Sequence, residues 1–97
     1  MYRVTTPTHT FHIPFDTELI DKLILTYSQN GKTILEKTEV DVILDDRTVS
    51  YTFTQQETKL FKADRAKVQM RVKIGDRVMA SNILTINISE VLNKEIL

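Results

Sequence analysis

The two histidines of this chain, His9 and His12, are the side chains with the widest range of potential chemistry. An imidazole can bind zinc or act as a general base near neutral pH. The two are three residues apart, so on a strand they point to opposite faces. A zinc site needs convergent ligands, and more of them than these two. We therefore interpret both as surface imidazoles on an edge strand and predict no metal site.

Carboxylates are concentrated between residues 39 and 46, at Glu39, Asp41, Asp45 and Asp46. A glycosidase needs two carboxylates that flank its substrate from opposite sides. Adjacent Asp45 and Asp46 instead have the composition of a tight turn, in which Asp hydrogen-bonds to the backbone. A weak cation site is the alternative, although the spacing does not match an EF-hand loop.

Other catalytic residue types are missing or badly placed. The serines lie outside any Gly-x-Ser-x-Gly elbow, and a triad would depend on one of the two edge-strand histidines. Two glycines are too few for a phosphate-binding loop or a dinucleotide fingerprint. The chain has no cysteine, and therefore no disulfide, thiolate zinc site or thiol nucleophile. The sequence predicts neither an enzyme nor a bound cofactor.

The charges of the chain cancel, with thirteen basic and thirteen acidic side chains among 97 residues. Nucleic acid and anionic lipid bind proteins through a surplus of Lys and Arg. A small basic stripe is expected at Arg71, Lys73 and Arg77, but Asp76 and the acidic region 36–46 offset it. We therefore predict no nucleic-acid partner and no membrane partner. The first residues also lack the apolar stretch of a signal peptide, which favours synthesis and folding in the cytoplasm.

Alternation of apolar and polar residues indicates about seven strands. It is clearest in residues 68–74, where even positions are apolar and odd positions are Gln, Arg and Lys. In the last strand, which carries Val78 to Ile88, Asn82 interrupts the pattern, and we predict a kink or bulge at Ser81-Asn82. The remaining strands are predicted around residues 11–15, 23–27, 35, 40–44 and 49–54.

Apolar side chains that face each other across a hairpin must share one face of the sheet, which tests each turn. A two-residue turn at Asp46-Arg47 places Leu44 opposite Val49, so this hairpin is predicted with two loop residues. Thr38-Glu39 joins two strands without a turn signal. It marks either the bend from one sheet to the other or a bulge.

The only two glycines fall in the two remaining turns, where a positive φ is useful. A three-residue loop ending at Gly31 places Leu25 opposite Leu35. A two-residue turn would place Leu25 opposite a glutamate.

At Gly75-Asp76, a two-residue turn would place Val72 opposite Met79. We predict an odd-length loop there, which places Val72 opposite Val78 or Ala80. Both glycine turns are therefore predicted as bulged loops.

A capping box at residues 54–57, Thr-Gln-Gln-Glu, predicts a short helix between the fifth and sixth strands. The predicted fold is all-β, an immunoglobulin-like antiparallel β-sandwich of about seven strands with a short helical turn between strands five and six. The cysteine pair and core Trp of antibody domains are absent, so only the architecture is predicted.

The predicted sandwich covers residues 8–89, between a flexible N-terminal arm at residues 1–7 and a C-terminal tail at residues 90–97. Ser89 can cap a short helix in the tail, which would carry an apolar stripe. The tail either folds back to close the sandwich or docks on a partner. The candidate partner-contact residues are Val91, Leu92, Ile96 and Leu97.

Several segments of the chain resemble small prophage proteins of gut Firmicutes. They are the opening residues 8–16, the turn at 27–32, residues 52–58, residues 78–83 and the closing residues 90–92. The resemblance extends over nearly the whole chain, but its motifs are turns and strand ends, so it transfers no catalytic residue. It implies a phage origin, synthesis in the bacterial cytoplasm and a role in the virion or its assembly.

Two functions follow as hypotheses. The first is a non-enzymatic, phage-derived structural or virion-assembly protein that contacts other phage structural proteins or copies of itself. The second is a sandwich module that binds a carbohydrate or another surface ligand. Sugar sites stack aromatic side chains on the ring, and the aromatic residues free to do so are Tyr2 and either Tyr27 or Tyr51.

Overall fold

Eight strands form two antiparallel sheets in the computed structural model, which describes residues 1–97. The small sheet has the strand order β1-β5-β4, and the large sheet has the order β3-β2-β6. At the far edge of the large sheet, β7 and β8 lie end to end and pair with successive parts of β6. The strands are β1 (Thr8–His12), β2 (Lys22–Gln29), β3 (Lys32–Thr38), β4 (Ile43–Asp45), β5 (Thr48–Thr52), β6 (Arg65–Ile74), β7 (Arg77–Ala80) and β8 (Leu84–Asn87).

The two sheets share one core, because every second residue of their central strands points inward. Tyr27, Phe53 and Phe61 are the largest side chains that are fully buried there. The other buried members are Leu23, Leu25, Val49, Tyr51, Ala66, Val68, Met70, Val72 and Ile88. The all-β, two-sheet prediction is confirmed.

A helix, α1 (Gln55–Lys59), follows β5 and precedes β6, as predicted. The Thr54 side chain accepts a hydrogen bond from Glu57 N, and the Glu57 side chain accepts one from Thr54 N. This is the reciprocal capping box that the sequence pattern indicates. A further 3₁₀ turn, Thr17–Leu19, lies between β1 and β2.

The predicted bulge in the last strand is confirmed, and it divides that strand into β7 and β8. Arg71 lies opposite Ala80, and Val68 lies opposite Leu84. Two residues separate the pairs on β6 and three separate them on the other side, so one residue is extra. Ser81 N donates to the Met70 carbonyl (2.8 Å), and Ser81 Oγ accepts from Met70 N (3.0 Å).

The turn at Asp46-Arg47 has two residues, and Leu44 lies opposite Val49 as predicted. Asp46 has a φ of +49°, in the left-handed region that Asp tolerates better than most residues. The strand before this turn, β4, begins only at Ile43 and is shorter than the alternation indicates. Val40 lies outside it and is exposed. The chain crosses from the large sheet to the small sheet between β3 and β4, which settles the bend at Thr38-Glu39.

The bulged loop predicted at Gly31 is wrong. Asn30 and Gly31 form a two-residue turn, both with positive φ, between the paired residues Gln29 and Lys32. The extra residue lies further along the hairpin, where the register shifts after Tyr27. This places Lys37 opposite Leu25, on the inner side of the large sheet.

The odd-length loop predicted at Gly75 is also wrong. Gly75-Asp76 is a two-residue turn, and Val72 lies opposite Met79. Met79 therefore shares the inward face, while Val78 and Ala80 lie on the outer face opposite Lys73 and Arg71. The bulge around Ser81 reverses the parity again, which is how Leu84 and Ile86 return to the inner face.

Both chain ends pack near the end of β8. The sequence predicts a flexible arm at residues 1–7, whereas Tyr2 forms a parallel bridge with Ser89 and Val4 is buried. Arg3 N donates to the Ser89 carbonyl, and Ser89 N donates to the Met1 carbonyl. Residues 90–97 contain no helix, so Ser89 caps none.

Candidate interaction surface

His9 lies on the inner side of β1, and His12 is exposed on the opposite face. The prediction of a surface imidazole is therefore wrong for His9. Its Nδ1 is 2.7 Å from Tyr27 Oη, and its ring packs edge-on against Phe53. Burial lowers the pKa of His9 and raises that of Tyr27. The pair is a neutral hydrogen bond within the aromatic core.

Two acidic side chains of the 39–46 region, Asp41 and Glu39, accept hydrogen bonds from the backbone. Asp41 Oδ2 accepts from Thr38 N (2.9 Å), and this bond lowers the pKa of Asp41. Glu39 Oε1 accepts from Leu23 N (3.4 Å), and Asp46 occupies the hairpin turn. No group of three or more His, Asp or Glu side chains converges anywhere in the chain in an arrangement that could hold a metal ion.

Glu57, Tyr51 and Lys37 form a network between α1 and the two sheets. Tyr51 Oη lies 2.6 Å from both Glu57 carboxylate oxygens, and Lys37 Nζ is 2.9 Å from one of them. Burial and the bond to Glu57 raise the pKa of Tyr51 to about 12. Burial opposes ionisation of Glu57, but the hydrogen bonds from Tyr51, Thr54 and Lys37 outweigh it and lower the pKa of Glu57.

Lys37 is a polar group that the sequence analysis did not single out, and His9 is one that it assigned to the surface. Each has the parity of the inward-facing residues of its strand, but its polar partner lies far away along the chain. The network connects α1 with one strand of each sheet and so holds these three elements together.

The most apolar concave feature is a groove between β1 with its following residues and the strands at the far edge of the large sheet. It consists of two adjoining cavities of about 360 and 350 Å³. Both are lined by Ile13, Met70 and Ser81, so they form one continuous depression. We call it the β1–β8 groove. Its other apolar walls are Phe11, Phe15, Val68, Val72, Met79 and Leu84.

The groove exists because the sheets differ in width. The large sheet has four strand positions and the small sheet has three, and no strand pairs with the outer edge of β1. Met79 and Leu84 lie opposite the buried Val72 and Val68, yet they are 36% and 50% exposed. The large sheet therefore extends beyond the small sheet by one strand, and the inner face of β7 and of the start of β8 is only partly covered, whereas Ile86 further along β8 packs against the core.

Both walls of the groove lack Lys, Arg, Asp and Glu, although His12, Gln69 and Asn82 contribute polar groups to the lining. Residues 4–15 contain no Lys, Arg, Asp or Glu, and neither do residues 78–89. All 26 charged side chains lie outside these two segments. An uncharged apolar surface with free strand edges on both sides is chemically suited to another polypeptide rather than to a charged ligand.

The predicted basic stripe lies elsewhere. Arg71 and Lys73 point outward from β6, together with Arg65 and Lys67, and Arg77 begins β7. None of them forms an ion pair, and Lys73 even lies opposite Lys22. This outer face of the large sheet is well solvated, and a polar cavity of about 500 Å³ at one end of it includes Arg65 and Lys67 together with Asp64.

The predicted partner-contact residues of the tail differ in exposure. Val91 is half-buried, Ile96 is 37% exposed, and Leu92 and Leu97 are fully exposed. Gln55 fixes the end of the tail, since its side-chain amide donates to the Leu97 carbonyl and accepts from Leu97 N. The tail is thus held by its backbone at α1, while its largest apolar side chains face solvent.

Comparison of the chain with protein-family models, with curated proteins and with solved structures gives no match. None of its helical segments has the length and hydrophobicity required to cross a bilayer. The surfaces available for binding include the β1–β8 groove, the basic stripe on the outer face of the large sheet and the C-terminal tail.

Proposed function

We propose that this chain is a non-enzymatic structural or assembly protein that works through protein–protein contacts. The single observation that carries the proposal is the β1–β8 groove, an apolar and uncharged depression bordered by two free strand edges. Extended polypeptides bind such edges through main-chain hydrogen bonds. The titratable groups with shifted pKa values are held in structural hydrogen bonds, which supports a role without catalysis.

The phage context of the proposal is supported by the resemblance of its turns and strand ends to small prophage proteins. On this basis the partners are other phage structural proteins or copies of the chain, in the virion or during its assembly. The neutral overall charge supports partners other than nucleic acid or membranes.

We also propose that the architecture is a variant of the immunoglobulin-like sandwich. In that fold one sheet has the strand order A-B-E-D, and the other pairs C with F and F with G. The orders β1-β5-β4 and β3-β2-β6-β7 agree with this if β1 is strand B and β2 is strand C. The vacant position beside β1 is then that of strand A.

A carbohydrate-binding or surface-ligand-binding module is the alternative. Of the aromatic residues considered for sugar stacking, Tyr27 and Tyr51 are buried and only Tyr2 is exposed. One isolated aromatic ring supports this alternative weakly, and a glycan array with the purified chain tests it. Binding of any glycan that the Tyr2→Ala variant loses would favour it.

The proposed function is tested by following the chain in its own host. Particles released after prophage induction are purified on a density gradient and probed with an antibody against the chain. Assembly intermediates from lysed cells are probed in the same way. Detection in either fraction is expected, and absence from both would contradict the proposal.

A further inference from the structure

We infer that the β1–β8 groove is the interface of a symmetric dimer, in which the overhanging β7–β8 edge of each copy fills the groove of the other. The inference rests on the proposed function and deepens it, since it names the contact surface and a second copy of this chain as its occupant.

The shape of the groove favours a second copy of the chain. A sheet that extends one strand beyond the opposite sheet forms a step, and a step fits a second copy of itself when one of the two is rotated by 180°. Each overhang then covers the other, so Met79 and Leu84 of both copies become buried. A two-fold contact of this type uses the same patch on both subunits, which is the commonest form of homodimer.

The absence of Lys, Arg, Asp and Glu from both walls also favours self-association. A surface that pairs with itself brings each residue near its own counterpart or near its neighbours, so like charges within it repel. Residues 4–15 and 78–89 provide 24 positions without a charged side chain. The chain as a whole is also neutral, which removes long-range repulsion between copies.

The two sheet edges beside the groove have backbone groups without a strand partner. β1 pairs only with β5, and the outer edge of β7–β8 is free except near Ser89. In the dimer, the overhang of one copy lies beside the free edge of β1 in the other. Both unpaired edges, which otherwise invite indiscriminate strand addition, are then covered.

The competing occupant is the C-terminal tail of a neighbouring copy. Its side chains include Glu90, Lys94 and Glu95, which would be brought against an uncharged apolar wall. Moving charges out of water without partners is unfavourable. The charge pattern therefore favours the matching groove over the tail.

The test measures the oligomeric state by sedimentation equilibrium over a wide concentration range, for wild type and for Met79→Lys and Leu84→Lys. We expect a wild-type dimer whose dissociation constant rises at least about tenfold in either variant, because each substitution brings two like charges together. Val40→Lys and Ile43→Lys are matched controls, since both residues are exposed and apolar but lie at or near the other edge of the small sheet. They should leave the dimer unchanged.

Hydrogen exchange of the wild type provides a readout that does not depend on variants. Amides of Thr10, His12 and Thr85, which face the unpaired edges of β1 and β8, should exchange more slowly at dimer-forming concentration than at monomer-forming concentration. The inference is overturned by a strict monomer at every concentration or by a dimer that persists in both lysine variants. A dimer that depends on residues 90–97 and leaves the groove amides unprotected would also overturn it, in favour of the tail.

The outcomes separate this inference from the proposed function. A monomeric chain found in purified particles would remove the self-paired groove and retain the assembly role. A groove-mediated dimer found in neither particles nor assembly intermediates would do the opposite.

Discussion

Glu57 shows how one side chain can serve several elements. Its carboxylate receives hydrogen bonds from Thr54 N, Tyr51 Oη and the Lys37 ammonium group. These donors come from the helix start, the small sheet and the large sheet. A charge-assisted bond of this type is stronger than a neutral one, particularly where water is largely excluded.

The Glu57→Gln substitution should therefore lower the free energy of unfolding by about 1–3 kcal/mol at neutral pH. The folded-state pKa of Glu57 is depressed, so its contribution is present above the unfolded-state pKa and is lost as pH falls through the folded-state value. Urea titrations at neutral and strongly acidic pH should show the difference between wild type and variant disappearing in acid. Glu95→Gln, at an exposed tail position, is the control and should show little effect at either pH.

His9 gives a second pH-dependent prediction. Burial lowers its pKa below the usual 6.5, so the unfolded chain binds a proton at a higher pH than the folded chain does. Wild-type stability should therefore decrease as pH falls below about 6.5 toward the folded-state pKa. The variant His9→Gln should lack this decrease, whereas His12→Gln should retain it. Equal pH profiles for the two variants would contradict the burial of His9 against Tyr27.

The limits of sequence reasoning at the residue scale are visible at these same positions. The capping box was predictable, because all of its partners lie within four consecutive residues. Lys37 and His9 were not, because their partners are Glu57 and Tyr27, which lie far away along the chain. Composition and parity show which face a residue occupies but not which polar groups meet it there.

At the scale of elements, the last strand depends on the bulge at Ser81. The bulge reverses the parity of β8 relative to β7, and Ser81 compensates for the interrupted ladder by bonding to Met70 in both directions. The turn at Gly75-Asp76 is assigned wrongly from the sequence because Val78 and Ala80 share the parity of Leu84 and Ile86. The bulge at Ser81 lies between these two pairs and places them on opposite faces. A parity test at one end of a strand is valid only if the strand is regular up to that point.

Replacing Ser81 with Ala removes the oxygen that accepts from Met70 N. We expect a loss of about 1–3 kcal/mol in the free energy of unfolding, because a donor in a largely buried strand is left unsatisfied. Faster hydrogen exchange at the Met70 amide should accompany the loss. Ser28→Ala is the matched control, since Ser28 lies in β2 and makes no side-chain hydrogen bond. Equal effects in the two variants would show that the bulge is held by its neighbours instead.

At the scale of the whole molecule, one ion pair joins both chain ends to α1. The Arg3 guanidinium binds the Glu90 carboxylate and also donates to the Lys59 carbonyl. It is well covered, at 15% exposure, whereas the Arg47–Asp16 pair is largely in solvent. The two arginines are a natural comparison between a covered and an exposed ion pair.

Arg3→Met should lower the melting temperature clearly more than Arg47→Met, which removes a pair of little energetic value. The reason is that Arg3 also satisfies a backbone carbonyl and orders residues 1–3 along Ser89. Thermal unfolding followed by circular dichroism measures both variants under the same conditions. A larger effect for Arg47 would show that the covered ion pair does not secure the chain ends.

The two-sheet architecture followed from the strand count, whereas the groove did not follow from any local pattern. Its existence depends on which strands are edges, and sheet order is determined by contacts between distant segments. The neutrality of residues 4–15 and 78–89 was visible in the sequence, but its meaning required knowing that these segments face each other.

The proximity of both chain ends has a consequence for the connectivity of the fold. Met1 bonds to the Asn87 carbonyl, Arg3 contacts Glu90, and Leu97 is held by Gln55 at the helix that Arg3 also contacts. We therefore expect that a short linker will join Leu97 to Met1 and that new ends can be opened at the exposed crossover near Val40. Such a circular permutant should retain the native fold, which its amide spectrum would show. The domain can accordingly be inserted into a loop of a host protein as well as attached at either end.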